Sequence, residues 1–372
     1  MVDYSSLPVR LCLDLRMRLH AAFSLTLLSI ALLFNLTACG STTGENEKKE
    51  KSKVAQPRVI ENISYVDNDN SAAHTLDLYF PPGEHTKAPL LVWIHGGAWK
   101  EGDKQPSPMM PLLVRGFAVA GINYRFAPDH KFPAQIYDCK AAIRWLRKHA
   151  DEYGFDKNRI GVFGISAGGH LAALLGATNG VKELEGNVGV TGESSDVQSV
   201  VAWCGVGNLS TLHAQAGQDD QLDYDSDQAP VSMFLGGTAK KMPEIAKAAS
   251  PVTYLKPGLK VPCLIMHAVK DPVVPFAQSQ ELYEAWKKTG APATLESVKS
   301  DQHIFISVPT MMAVIDFFQK TLADKAGADV KVNGPAAAPG KDKNSSKARS
   351  KEADAGSSAG RDELRIGGKK QN

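Results

Sequence analysis

The 372-residue chain is 43% hydrophobic and 22% charged, with 42 basic against 40 acidic side chains and a net charge of +2, which excludes a collagenous, wholly disordered or disulfide-stapled protein. Charge is uneven: residues 1–38 hold +1, 39–58 hold +2 and 325–372 hold +5, so the body, 59–324, is left at −6. An acidic body between basic ends argues against a nucleic-acid-binding core, and the tail lysines, interspersed with Ser, Gly and Ala and free of aromatic residues, read as a solvated low-complexity segment.

In chain order, the first element is an address. Arg18 and His20 precede an apolar run over 21–36, broken only by Ser, Thr and Asn, that ends Leu36-Thr37-Ala38-Cys39-Gly40. A basic start, an apolar stretch short for a bilayer span and small residues before a cut site make 1–38 a signal peptide, with Met17 an alternative start. Leu36 to Cys39 resembles the lipobox of bacterial lipoproteins, and the resemblance implies lipid attachment at Cys39. An ordinary signal peptide cut near Ala38 would leave Cys39 incidental. Residues 39–58 are polar and charge-mixed, a tether, and the expected location is the cell envelope (lipid-anchored, periplasmic or outer-membrane side) or the exterior. Cys139, Cys204 and Cys263 remain, an odd number in apolar or helical patterns, which reads as buried thiols without a disulfide framework.

Apolar runs bounded by turn residues predict eight strands, over 63–66, 75–80, 89–95, 117–124, 159–166, 199–206, 262–269 and 293–298. Helical patterns intervene at 134–150, 167–177, 278–288 and 311–322. Near-continuous apolar strands alternating with helices predict one α/β domain over 59–324, a mostly parallel eight-stranded sheet covered on both faces. The segment 207–257 breaks the rhythm. It is acidic at Asp219, Asp220, Asp223, Asp225 and Asp227, and a connection that long is expected to be functional or mobile, a lid-like insertion. Residues 325–372 lack the apolar content to order themselves.

Gly164-Ile165-Ser166-Ala167-Gly168 follows an apolar strand and precedes a helix. The same pattern recurs at Gly356-Ser357-Ser358-Ala359-Gly360, where there is no strand or helix to bend. At Ser166 the glycines permit a sharp strained turn that exposes the hydroxyl at a helix N-terminus; a simple helix N-cap would explain neither flanking glycine. A serine hydroxyl is a poor nucleophile at neutral pH and needs a base, a group to orient that base, and donors for the developing oxyanion. His95-Gly96-Gly97-Ala98-Trp99 ends the third strand with small residues that let N–H groups turn inward. Asp271 follows the seventh strand, where it could also merely cap the next helix, and His303 follows the eighth. All lie past carboxyl ends of strands, the edge where open α/β sheets build sites. Asp138 and Asp301 are less well placed. His267 lies on a strand and is read as a core or supporting residue; His95 and His170 are read as hydrogen-bonded supports, and Trp93 and Trp99 as packing.

The order Ser, Asp, His with the His-Gly-Gly motif resembles the α/β-hydrolase fold over about 60–324. Tyr124-Arg125-Phe126-Ala127-Pro128 with Phe132-Pro133-Ala134 is similar to a block of hormone-sensitive-lipase-like esterases, and His-Gly-Gly-x-Trp resembles the branch of kynurenine formamidases and carbohydrate or feruloyl-type esterases. The resemblance implies an ester hydrolase with a Ser166, Asp271, His303 triad and an oxyanion hole from Gly97, Ala98 and Ala167, supported by His95, Gly96, Trp99, Gly164 and Gly168. Two positions depart from the family: Ala98 stands for a third glycine, and His303 lacks the family's Gly-x-x-His-Gly-Phe setting. A small-acyl or carbohydrate-linked ester is the expected substrate. An exopeptidase or formamidase on the same fold, or a catalytically inactive surface binding protein, are the alternatives. No cofactor or metal is implied, since covalent catalysis through a hydroxyl needs neither.

Overall fold

A computed structural model of the chain describes residues 58–83, 86–105, 107–217 and 223–323. The leader, Cys39, the tether apart from Arg58, Asp219, Asp220, the second glycine-serine motif and the tail lie outside the described residues. Eight strands form one sheet: β1 (Arg58–Ser64), β2 (Thr75–Phe80), β3 (Ala88–Ile94), β4 (Ala118–Ile122), β5 (Phe155–Ile165), β6 (Ser199–Trp203), β7 (Cys263–Ala268) and β8 (Ala293–Val298), in the order β1-β2-β4-β3-β5-β6-β7-β8. The helices are α1 (Ala134–Lys148), α2 (Ala150–Tyr153), α3 (Ala167–Ala177), α4 (Leu212–Gln215), α5 (Pro230–Leu235), α6 (Pro243–Ala249), α7 (Phe276–Lys288) and α8 (Val308–Leu322).

β2 runs antiparallel to β1 and β4, and all other neighbours are parallel. The short link 81–87 explains the reversal, because a parallel return needs a longer crossover. The first strand begins before the predicted 63–66. Its ladder breaks between Ile60 and Ile63, where Asn62 has φ 57° and donates its N–H to Asp77 Oδ1 at 2.7 Å. That irregularity hides the two-residue period on which the sequence reading depends.

Alternation divides the strands between two cores. Leu90, Val92, Ile94, Val162, Val200 and Ile265 face one layer, with α1, α3 and α7. Leu91, Trp93, Phe163, Val201, Trp203 and Met266 face the other, under Val314, Ile315, Phe318 and Leu322 of α8. All eleven residues of α3 are buried, which suits a helix that is apolar all round. α8 opens with Ser307 and Thr310 in a reciprocal capping box. Among the described residues no helix is long and apolar enough to cross a membrane.

α1 departs from a simple apolar face, because Lys140, Arg144 and Arg147 are buried. Each is spent on the segment after α3. Lys140 Nζ pairs with Glu185 Oε1 at 2.7 Å and donates to the carbonyl of Thr178 and the hydroxyl of Ser195. Arg144 donates to the carbonyls of Val190, Glu185 and Val188 and pairs with Glu185 at 3.1 Å. Arg147 donates to the carbonyls of Lys157, Ser194 and Asp196. Removing one cation strands buried acceptors, so Arg144→Met is expected to cost about 3 kcal/mol and lower the thermal midpoint by about 10 °C. A melt within 2 °C of the parent would contradict this.

The segment 207–257 contains α4, α5, α6 and the 3-10 turn Pro251–Tyr254. Its Leu209, Leu212, Val231, Phe234, Ala246 and Ala249 belong to the main core. Its entry is pinned to α7: Gln278 Oε1 accepts the N–H groups of Gly207 and Asn208, and Glu281 accepts from Asn208, Thr211 and Gln215. These helices are too short to show a period in sequence, and α5 and α6 start on a proline, which suits a first helical position.

Candidate active site

The parallel register aligns the carboxyl ends of five strands, with Ile94 opposite Gly164, Ile165 opposite Trp203, Trp203 opposite Met266 and Ala268 opposite Val298. The loops that follow therefore converge on one edge. Ser166 occupies the turn between β5 and α3 at φ 59°, ψ −122°, a conformation an L-residue adopts only when its surroundings impose it. The neighbouring glycines are what impose it. A Cβ at Gly164 would fall on the carbonyl of Gly168, and one at Gly168 on the carbonyls of Ile94 and His95, all well inside 3.0 Å. The tight turn leaves the Ser166 hydroxyl at the N-terminus of α3.

That hydroxyl lies 2.9 Å from His303 Nε2, and His303 Nδ1 lies 2.7 Å from Asp271 Oδ2. Asp271 Oδ1 accepts the N–H groups of Val273 and Val274 at 2.8 and 3.0 Å. Burial opposes ionisation of Asp271, but hydrogen bonds from His267, His303 and the Val274 N–H outweigh it and hold the carboxyl well below the usual carboxylate range. The Asp271 Oδ2 contact with Nδ1 directs the bare Nε2 toward the serine. The structure thus joins Ser166, His303 and Asp271, whereas Asp138 is fully buried in a two-pronged pair with Arg125 and Asp301 is exposed. After His303 and Ile304, the Phe305 ring packs on Trp203 at 4.9 Å.

The His95 loop lies beside the serine. Gly97, Ala98 and Trp99 take φ of 99°, 53° and 59° in succession, and Lys100 and Glu101 both donate to the Gly97 carbonyl. In the described turns and loops the N–H groups of Gly97, Ala98 and Ala167 donate to no backbone carbonyl. Ala98 carries a Cβ in left-handed geometry, a strain of about 1 kcal/mol that a glycine would avoid. His95 stacks on Tyr124 at 4.4 Å, its Nδ1–H donates to the Gly96 carbonyl, and burial lowers its pKa to about 4. It is a neutral support, as is His170: burial lowers the His170 pKa to about 4, its Nδ1 accepts from Trp99 Nε1 at 3.1 Å and its Nε2–H donates to the Ala249 carbonyl at 2.8 Å. Trp99 also stacks on Phe234 of α5 at 4.6 Å. Sequence reasoning identified both histidines as supports, but not that His170 ties the insertion to the glycine loop.

A cleft opens at the hydroxyl, bordered by Ala98, Trp99, Val206, Leu212, Val231 and Val274, with Tyr224, Pro230 and Val273. Among the described residues no charged side chain lines it. Cys204, at the end of β6, lies 4.0 Å from His303 Nε2, and its thiol, with Asp271 and His303, places three possible metal ligands within 4.8 Å. Both His303 nitrogens are already engaged, and burial, followed by the Asp271 charge, pushes the Cys204 thiol up, so the trio suits proton transfer better than metal binding. Cys139 and Cys263 are likewise buried free thiols, pushed up by burial.

The BD-FAE family model matches residues 76–286, more than half of the chain. Esterase LipQ of Mycobacterium tuberculosis is 30% identical over 262 residues, 65% of this chain and 60% of its own length; esterase LipC of the same organism is 30% identical over 57% and 52%. The chain thus spans little more than half the length of these relatives. Among solved structures, a truncated carbohydrate esterase from gut microbiota is 32% identical with a TM-score of 0.66, covering 72% of this chain and 97% of that one. A propionate-bound esterase, Est2 of Thermogutta terrifontis, is 27% identical with a TM-score of 0.56, over 74% and 97%.

Proposed function

This chain belongs to the BD-FAE family, and from that premise we propose that it is a serine hydrolase of carboxylic esters carrying a small, uncharged acyl group, including esters on carbohydrate. The observation that carries the reading is the unbroken hydrogen-bonded line from Ser166 Oγ through His303 to Asp271 at 2.9 and 2.7 Å, opening into a cleft whose described lining residues are uncharged.

His303 Nε2 takes the hydroxyl proton as Ser166 Oγ bonds to the ester carbonyl carbon. The carbonyl oxygen gains the displaced electron pair and accepts hydrogen bonds from the N–H groups of Gly97, Ala98 and Ala167, at the positive end of α3. Asp271 remains ionised and stabilises the imidazolium. The tetrahedral intermediate collapses, the alcohol leaves with the proton from His303, and the acyl group stays on Ser166. Water, deprotonated by the same nitrogen, releases the carboxylic acid and restores the hydroxyl.

Leu212, Tyr224 and Val231 from the insertion, with Val273 and Val274 from the Asp271 loop, support an acyl pocket on one side of the serine. With no cation among the described residues of the wall, a carboxylate-bearing acyl group would be stripped of water and left unpaired. The carbohydrate-esterase likeness supports a sugar-linked alcohol, and the leader ending at Cys39 supports an exported, lipid-anchored enzyme. Nitrophenyl acetate, propionate and butyrate are expected to outrun the hemisuccinate ester in kcat/KM by at least about 100-fold. Equal rates would rule out the uncharged-acyl assignment. Acetylated xylan and feruloyl sugars then distinguish the alcohol.

A further inference from the structure

His267 occupies β7, fully buried, with Phe276 edge-on at 5.7 Å. Its Nε2 faces two acceptors, Asp271 Oδ2 at 3.1 Å and the Val274 carbonyl at 2.9 Å. A ring nitrogen between two acceptors carries the hydrogen. The other nitrogen, Nδ1, lies 2.6 Å from the hydroxyl of Ser279 on α7, itself fully buried. The Ser279 hydroxyl thus braces the ring at the nitrogen that does not face the carboxylate.

We propose that Ser279 and His267 form a second, buried arm of the catalytic machinery, a pair of positioning residues that hold the same carboxylate oxygen of Asp271 as His303. The proposal rests on the ester-hydrolase reading above. Asp271 Oδ1 then accepts the N–H groups of Val273 and Val274, while Oδ2 lies 2.7 Å from His303 Nδ1 and 3.1 Å from His267 Nε2, whose one hydrogen is shared with the Val274 carbonyl. One oxygen thus divides its charge between two imidazoles. The titratable groups facing this carboxylate are His267 from β7, His303 from the loop after β8, and Cys204 from β6. The arm fixes the direction of Oδ2, and hence the Nδ1–H of His303, while tempering the pull of the carboxylate on the imidazolium.

Removing the His267 donor leaves Oδ2 to His303 alone, and the carboxylate loses its orientation. His267→Leu is expected to lower kcat about tenfold or more with KM within about twofold, because orientation is lost without loss of substrate contacts. His267→Gln, whose amide nitrogen reaches the Nε2 position, should restore kcat to within about twofold of the parent, and Ser279→Ala should lower kcat in the same direction as leucine by a smaller amount. If His267→Leu with the parent's melting behaviour keeps the parent kcat, the proposal is overturned. It is overturned equally if leucine and glutamine lower kcat alike, which would mark a purely structural role. Should His267→Leu fail to fold, the kcat of Ser279→Ala decides. A parent that neither turns over esters nor reacts with a fluorophosphonate would instead refute the hydrolase reading.

Discussion

Ser166→Ala is expected to lower kcat/KM on nitrophenyl butyrate by on the order of 10⁵-fold and to abolish labelling by a fluorophosphonate, with little change in the melting curve. The hydroxyl is the only part of this residue that the proposed chemistry consumes. The positive φ belongs to the backbone, and alanine has the same Cβ as serine, so the turn loses one hydrogen bond to His303 and nothing else. Residual turnover above one-tenth of the parent would mean that another nucleophile, or none, carries the reaction. Cys204 is the neighbour to consider, since its thiol lies 4.0 Å from the same nitrogen; its burial and raised pKa place it poorly for the task.

Gly168→Ala should do more damage to the molecule than to any one chemical step. The added methyl has no flexible side chain to push aside; its neighbours are the carbonyls of Ile94 and His95, the end of β3 and the start of the oxyanion loop. Either α3 or that loop must withdraw. A loss of more than about 3 kcal/mol is expected, from overpacking against backbone, and any folded fraction should turn over at least about 100-fold more slowly because the donors retreat from the serine. Parent-like stability and rate would show that the close approach of helix and strand is dispensable.

Much of this arrangement was legible before any coordinates. The buried strands β3, β4, β6 and β7 are near-continuous apolar runs and are readable as such because both faces of the sheet are covered there, whereas β1 and β8 are largely exposed. Ser166, Asp271 and His303 are readable as candidates from their motifs and their position just past strand ends, and the structure brings the three together. What escaped had a common cause. His267 and Ser279 meet across twelve residues, and Trp99 and His170 across seventy-one; such pairings leave no periodic trace and involve residue types equally at home in a core. The three cations on α1 broke amphipathicity for the sake of carbonyls in a loop whose path no local rule specifies. The bulge at Asn62 displaced the first strand, and α4, α5 and α6 fall below the length at which a helical period can be counted. The pocket wall, built partly from those helices, was therefore invisible although its location in the chain was not.

The ring of Trp99 has a neighbour on α5 and, through one imidazole, a tie to the last residue of α6. Whatever shapes the insertion's side of the cleft is consequently welded to the loop whose amides are proposed to receive negative charge. Grafting a relative's 207–257 segment to change preference should therefore disturb rate as well as selectivity, unless residues 99 and 170 travel with the graft.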